Sequence, residues 1–347
     1  MKTYAIGLMS GTSLDGLDIC YARFEYDTKW HFEILKAETI PYSLDWETKL
    51  RQAYFLSAED LYALNSEYGF YLGEKVQEFV EKHGIKTLDL ISSHGHTIFH
   101  QPYRKFTTQI GDGRAIKLTT NTTTVYDFRT QDVLLGGNGA PLVPIGDELL
   151  FSDFDACINL GGFSNISFQK DRKRIAFDIC PVNIVLNKWA NELNLKFDKD
   201  GSIAASNNID NELLAYWNNL EFYRTSHPKS LGIEWINSKF LLPELNLSPE
   251  VLIATASEHA AIQIAEVINQ NNLNKILCTG GGSYNSHLIQ RVKALTNAKI
   301  IIPEETVIDF KEALIFGFMG VLKFHNQNNV LSSATGSKFD HCSGVIA

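Results

Sequence analysis

Gly7-Leu-Met-Ser-Gly-Thr-Ser-Leu-Asp-Gly-Leu-Asp18 is the stretch on which the fold of this chain turns. Tyr4 to Met9 is mostly apolar, as a central strand is. Ser10-Gly11-Thr12-Ser13 predicts a tight turn, Leu17 to Phe24 a returning strand, and the alternating run Trp30 to Ile40 a third strand. The same grammar recurs in the second half. Ala156 to Leu160 reads as a strand, Gly161-Gly162 as a turn, and Phe163 to Phe168 and Arg174 to Phe177 as two further strands. Helical periodicity follows each copy. Ser57 predicts an N-cap, Leu61, Leu64, Tyr68, Leu72 and Val76 a buried stripe, and Gly84 a stop. Pro249 to Asn271 and Asp309 to Phe324 predict later helices. Strands alternating with helices make the class α/β. The returning strands make the sheets mixed, and the repeat predicts two related domains.

The remaining segments set the expected boundaries. Leu88 to Ser93 reads as a short buried strand and Asn121 to Phe128 as another. Gly136-Gly-Asn-Gly-Ala-Pro141 has the composition of a boundary or hinge. Residues 1–145 with 311–347 are expected to form one domain, and residues 146–310 the other.

The bulk composition excludes several functions. A chain of 347 residues with 44% hydrophobic residues can build two cores. A formal charge of −9 without a basic run leaves no footprint for nucleic acid. Five cysteines without a C-x-x-C spacing predict buried thiols, not a disulfide or zinc framework. No basic leader precedes the first strand and no run reaches the length of a membrane span, so the expectation is a cytoplasmic protein without membrane contact.

Five groups of residues have chemistry to offer. Around Gly11 and Gly16, small residues let backbone approach a phosphate, hydroxyls of Ser10, Thr12 and Ser13 can donate to it, and Asp15 and Asp18 can hold Mg²⁺. The P-loop pattern G-x-x-x-x-G-K-[ST] is absent. Gly161-Gly162 is the matching turn of the second half. Thr279-Gly280-Gly281-Gly282 is a strand end opening toward a helix that Ser283 or Asn285 can cap. Asp178, at a strand end, is a candidate general base or an ordinary capping aspartate. Ser93-His-Gly-His-Thr-Ile-Phe-His100 carries three histidines. In an extended strand His94 and His96 share a face, and sugar hydrogen bonding or packing suits them better than zinc.

Together these segments resemble the anhydro-N-acetylmuramic acid kinase family, over nearly the whole chain. The most specific pieces are Met9 to Asp18 and Ser93 to Pro102. Thr108-Gln-Ile-Gly111, Asp127-Phe-Arg129, Gly136 to Pro144, His227-Pro-Lys-Ser-Leu-Gly232 and Lys311-Glu-Ala-Leu314 add to them. The resemblance implies a two-domain actin-like ATPase (ribonuclease H-like) fold with a central cleft. It implies an ATP- and Mg²⁺-dependent kinase that opens 1,6-anhydro-N-acetylmuramic acid with water and yields the 6-phosphate in cell-wall recycling. Its partners are then ATP and a small amino sugar, with a homodimer as the family's assembly. By motif match, Ser10, Gly11, Thr12, Ser13, Leu14, Asp15, Gly16, Leu17 and Asp18 face the phosphates, joined by Gly161 and Gly162. Gly280, Gly281 and Gly282 flank the nucleoside. Asp178 is the catalytic base, and His94, Arg129 and Glu312 bind sugar. The chain departs from the family where Cys180 and Val182 stand for glycines, a change expected to narrow the pocket or shift Asp178. His96 stands for a glutamine and His227 for a proline. A kinase of an ordinary amino-sugar hydroxyl and a non-catalytic ATP-gated binding module are the competing readings.

Overall fold

β1 (Lys2–Ser10) runs up the middle of a seven-stranded mixed sheet. It pairs antiparallel with β2 (Leu17–Tyr26), which pairs antiparallel with β3 (Trp30–Ile40). On its other edge β1 runs parallel to β4 (Leu90–Gln101). β4 holds β5 (Phe106–Ile110) as an antiparallel hairpin partner and β6 (Thr124–Tyr126) in parallel. The second sheet has five strands. β7 (Ala156–Leu160) is central, antiparallel to β8 (Phe163–Lys170), which is antiparallel to β9 (Lys173–Pro181). β10 (Lys275–Thr279) and β11 (Lys299–Ile301) continue it in parallel on the other side. β12 (Val345–Ile346) closes the first sheet against β6. Numbered within each sheet, and leaving out the hairpin partner β5 and the closing β12, both sheets share the order 3-2-1-4-5, with the second strand antiparallel. That is the ribonuclease H-like topology, present twice. The computed structural model describes residues 1–11, 14–241 and 246–347.

The chain divides into two units, Met1–Leu150 with Phe310–Ala347, and Phe151–Asp309. In the first, the Ala58–His83 helix starts where Ser57 Oγ accepts from Asp60 N and stops where Gly84 turns left-handed at φ 60°. Its Tyr68, Leu72, Val76 and Phe79 pack under Ile6, Leu8 and Ile91 of the sheet. The Glu305–Phe324 helix covers the opposite face, where Ser92 Oγ donates to Phe316 O. In the second unit, Trp189, Trp217, Ile253 and Ala260 pack on Ile158, Leu160, Ile166 and Ile179. The Pro249–Gln270 helix is the one described helix long and apolar enough to span a membrane, against the expectation that no run approaches that length. Most of its apolar window, 78%, lies inside the unit, the position of a core helix.

Three expectations need correction. β4 runs on through the histidine stretch to Gln101, because hairpin pairing with β5 continues it where the sequence shows no break. Only Thr124–Tyr126 of the Asn121–Phe128 run is strand. Asn121 caps the preceding helix at φ 51°, and Asp127, at φ 56°, ends the strand. The glycine-rich Gly136–Pro141 loop is no boundary. It lies within the first unit, and the chain crosses over at Leu150/Phe151.

Candidate active site

In the first unit, β1 ends at Ser10, which is buried. Its hydroxyl faces inward. Tyr42 Oη donates to Ser10 Oγ at 2.7 Å, Tyr42 Oη and Tyr68 Oη lie 2.6 Å apart, and Ser10 Oγ lies 2.8 Å from His96 Nδ1. Ser10 therefore anchors the turn and has its hydroxyl committed, where the sequence suggested a phosphate donor. Gly11 is half-buried. Thr12 and Ser13 lie outside the described residues. Leu14 takes φ 61° and, like Leu17, buries its side chain in the core, so both can offer a ligand backbone only. A Cβ on Gly16 would sit 2.7 Å from Ile40 O, so glycine there seats the turn against β3. Asp15 is exposed, and half-buried Asp18 accepts from Thr39 Oγ1 at 2.6 Å. Carboxylates such as those of Asp15 and Asp18 suit Mg²⁺, which keeps most of its waters and takes one or two carboxylates.

The three residues matched to the sugar come together in this unit although they are far apart in sequence. Arg129 Nε donates to His94 Nε2 at 2.9 Å, and Arg129 Nη1 donates to Gly139 O at 2.5 Å. With Nε2 accepting, the proton of His94 sits on Nδ1, 2.8 Å from Gly95 O. Burial, then the neighbouring Arg129, holds His94 well below the usual histidine range. Burial draws Arg129 down to about 10, while Glu312 and Asp132 pull upward. Glu312 is solvent-exposed, yet loss of water to surrounding protein still raises its carboxyl above the usual glutamate value, against Arg129 and Lys311. One turn further along the helix, the Phe316 ring lies 4.6 Å from that of His94.

His94 and His96 do not share a face. The β1–β4 register passes from Leu8↔Ser93 to Ser10↔His96, so β4 carries one extra residue there. Gly95, at φ 74°, makes this bulge. His94 turns to the Phe316 side and His96 to the Tyr68 side, with ring centroids 6.4 Å apart in the latter pair. Among the described residues no group of three or more acidic, histidine or cysteine side chains is placed to hold a metal.

In the second unit, β7 and β10 are parallel neighbours, so Gly161-Gly162 and Gly280–Gly282 emerge side by side at their carboxyl ends. Open α/β sheets bind ligands at such ends. Gly280 takes φ 82°, and a Cβ there would lie 2.6 Å from Asn159 Oδ1. Gly281 has no such need: its Cβ would meet nothing within 4 Å. Fold packing thus explains Gly280 and leaves Gly281 facing open space. Asn285 caps the following helix by accepting from Leu288 N. Gly161 O and Gly162 O accept from Asn183 N and Ile184 N, and so fasten this turn to the Asn183–Glu192 helix. An open groove of about 680 Å³ runs from Gly162 along Asn183, Asn187 and Lys188.

Asp178 sits on β9 beside a bulge: Asn165 pairs with Asp178 and Ser164 with Cys180, leaving Ile179 extra. The half-buried carboxylate accepts from Leu231 N at 2.8 Å, and Asp178 N donates to Lys229 O at 3.1 Å. Burial raises its pKa above the usual aspartate range, and the Leu231 bond opposes this. Lys229 Nζ donates to Phe222 O at 3.1 Å and lies over the Phe222 and Phe177 rings. This Lys229–Leu231 clamp was not visible in the sequence, because its partner stands 53 positions away without local signal. The Cys180 thiol is close enough to Asp178 and Lys229 to feel their charges, so the departure at 180 lies beside the candidate base. Cys180 is fully buried with Sγ 3.9 Å from Ala260 O, and Val182 is buried at φ −132°.

A doubled ribonuclease H-like topology, with glycine turns at the carboxyl ends of central strands, defines the class: a phosphotransferase of the actin and sugar-kinase fold. The model of the family "Anhydro-N-acetylmuramic acid kinase" matches residues 3–347. An anhydro-N-acetylmuramic acid kinase of Bacillus cereus (strain 03BB102) is 33% identical over 96% of each chain, and one of Bacillus thuringiensis (strain Al Hakam) is likewise 33% identical over 96% of each. The chain belongs to the anhydro-N-acetylmuramic acid kinase family. Among solved structures, the activator of the 2-hydroxyisocaproyl-CoA dehydratase from Clostridium difficile aligns with a TM-score of 0.44 at 11% identity, covering 93% of this chain and 97% of that one. A ROK hexokinase from Thermus thermophilus aligns with a TM-score of 0.41 at 10% identity, covering 92% and 100%.

Proposed function

We propose that the protein opens the 1,6-anhydro bridge of anhydro-N-acetylmuramic acid and phosphorylates the oxygen so released, with ATP as donor and Asp178 as the base. Family membership supports the substrate. The observation that carries the mechanism is the setting of Asp178: a half-buried carboxylate aimed by a bulge, held by one backbone N–H, with its pKa raised toward the working range of a base. Asp178 takes a proton from water as that water attacks C1. The C1–O6 bond breaks and its electron pair stays on O6. That oxygen attacks the γ-phosphorus, and ADP leaves with the pair of the broken P–O bond. One base serves both bond changes, because the strained acetal supplies its own nucleophile.

Arg129, fixed by His94 and Gly139, keeps its remaining donors for a sugar, with Glu312 near it, while His94, with both ring nitrogens bonded, holds Arg129 in place. The turn after Ser10 and the Gly162 N–H would face the phosphates, Gly161 N being bonded to Phe163 O, and Gly281 leaves room for a nucleoside. Asp15 and Asp18 would hold Mg²⁺, which when bound screens phosphate charge. Cys180 and Val182 keep their side chains buried, and Cys180 stands beside the base.

Mass spectrometry of the product formed in ¹⁸O-labelled water tests this reading. Water-driven ring opening places the label on C1. A phosphorylated sugar without label, after correction for anomeric exchange, excludes the mechanism in favour of simple hydroxyl phosphorylation.

A further inference from the structure

Arg129 is held from two sides, and both holds lead to the C-terminal segment. On one side, Gly139, whose carbonyl takes the Arg129 Nη1 bond, donates its own N–H to Asp132 Oδ2 at 2.7 Å. Asp132 is fully buried. Its other oxygen accepts from Thr335 Oγ1 at 2.7 Å, and Asn138 N donates to Thr335 O at 2.8 Å. On the other side, Phe128, the residue before Arg129, gives its carbonyl to Ser343 Oγ at 2.7 Å. Ser343 is locked in turn by Asn329, whose Oδ1 accepts from Ser343 N at 2.6 Å and whose Nδ2 donates to Ser343 O and Met319 O.

These bonds join residues 203 and 215 positions apart and are buried throughout. A buried carboxylate is a costly way to pack a loop, and an apolar residue of the same size would do it more cheaply. What a buried hydrogen-bonded network adds is a single geometry, and here His341 Nε2, 3.7 Å from Asp132 Oδ1, is its one atom without a hydrogen bond among those described. Here the geometry is that of the guanidinium. Two of its donors are spent on His94 and Gly139, so the position of Gly139 decides where the remaining donors point.

We propose that Asp132, Thr335 and Ser343 are positioning residues for Arg129, and that the segment from Leu331 to Ser343 thereby sets the affinity for the sugar. The proposal rests on the reading of Arg129 as a sugar ligand. Thr335→Val keeps shape and removes the hydroxyl, and Ser343→Ala does the same on the other side. Each is expected to raise the sugar KM about tenfold, the weight of one buried bond to an oriented group. The ATP KM should stay unchanged, and Thr335→Ser should restore the sugar KM. Arg129→Ala is run in parallel. If it loses sugar affinity while Thr335→Val and Ser343→Ala keep theirs, the positioning role is wrong and Arg129 stands as a ligand. If Arg129→Ala keeps a normal sugar KM, the ligand reading fails and the positioning role goes with it. An equal rise of the sugar and ATP KM values in both hydroxyl variants marks general loosening and also overturns the proposal. Should Thr335→Val fail to fold, Ser343→Ala carries the same comparison alone.

Discussion

Replacing Asp178 with asparagine should cut activity while leaving stability nearly unchanged. Asparagine keeps a carbonyl oxygen for the Leu231 N–H, now 2.8 Å from Oδ2. A hydrogen bond to a charged group is worth about 1.5–3 kcal/mol and one between neutral groups about 1, so at most about 2 kcal/mol is lost there. Removing the charge works the other way. Burial raises the folded pKa of Asp178 above its unfolded value. The associated stability is fully present below the unfolded pKa and is lost as pH rises through the folded one. At neutral pH the wild type therefore carries the whole cost of a desolvated carboxylate, which asparagine does not. The two changes offset, and the variant should melt within a few degrees of wild type at neutral pH. Turnover should fall about 10²–10⁴-fold, the usual weight of a general base. The acid limb of wild-type kcat should lie above the pH expected of an ordinary aspartate. The assay is turnover and thermal melting on the same sample, with ATP binding as control. An active variant refutes the reasoning. So does one whose activity loss follows its unfolded fraction.

Gly7→Ala should be severely destabilised, by about 3 kcal/mol or more, because the new Cβ would lie 1.9 Å from Ala313 O on the helix that carries Glu312. Denaturant unfolding measures it, and a stable variant would show that helix and sheet can part freely. Cys180→Ala should cost about 1 kcal/mol, since the thiol packs on Ala260, and should leave the sugar KM unchanged while kcat follows any shift of Asp178 beside it. A changed sugar KM would contradict that placement. His96 is held down to about 4 by burial. Its stabilisation is present above the unfolded value of about 6.5 and is lost as pH falls through about 4, on the order of 3 kcal/mol in all. His96→Gln should flatten stability across that window in pH-dependent melting, and an unchanged slope would place the titration elsewhere.

Much of the fold was legible because it rests on local signals. Ser57 and Gly84 bound a helix by capping chemistry that needs no tertiary context, and Lys275–Thr279 ran as an apolar strand into glycines. The doubled strand–turn–strand pattern carried the topology. What was illegible depends on partners distant in sequence. β4 looked short because its continuation is polar, and only pairing with β5 makes it strand. Ser10 looked like a phosphate donor because nothing nearby reveals Tyr42 or His96 waiting for its hydroxyl. Leu14 and Leu17 matched a phosphate motif by position while their side chains answer to the core. Cys180 and Val182 looked like intrusions into a pocket, because strand alternation around a bulge cannot be counted without seeing the bulge. The Asp132–Thr335 bond joins two ordinary residues that no spacing rule connects.

The extra residue at Gly95 has a consequence for how the strand can vary. It works as a partition. On one side His94 meets Arg129 and Phe316, and on the other His96 meets Ser10 and Tyr68. A change of shape at 96 falls on Ser10 and Tyr68 and one at 94 on Arg129 and Phe316, while the charge of either ring still reaches the other. Both hang on Gly95, where any side chain would meet a φ of 74° and the carbonyl of Ile110 at 2.6 Å. The two histidines thus pack against separate neighbours, and loss of the glycine between them would displace both at once.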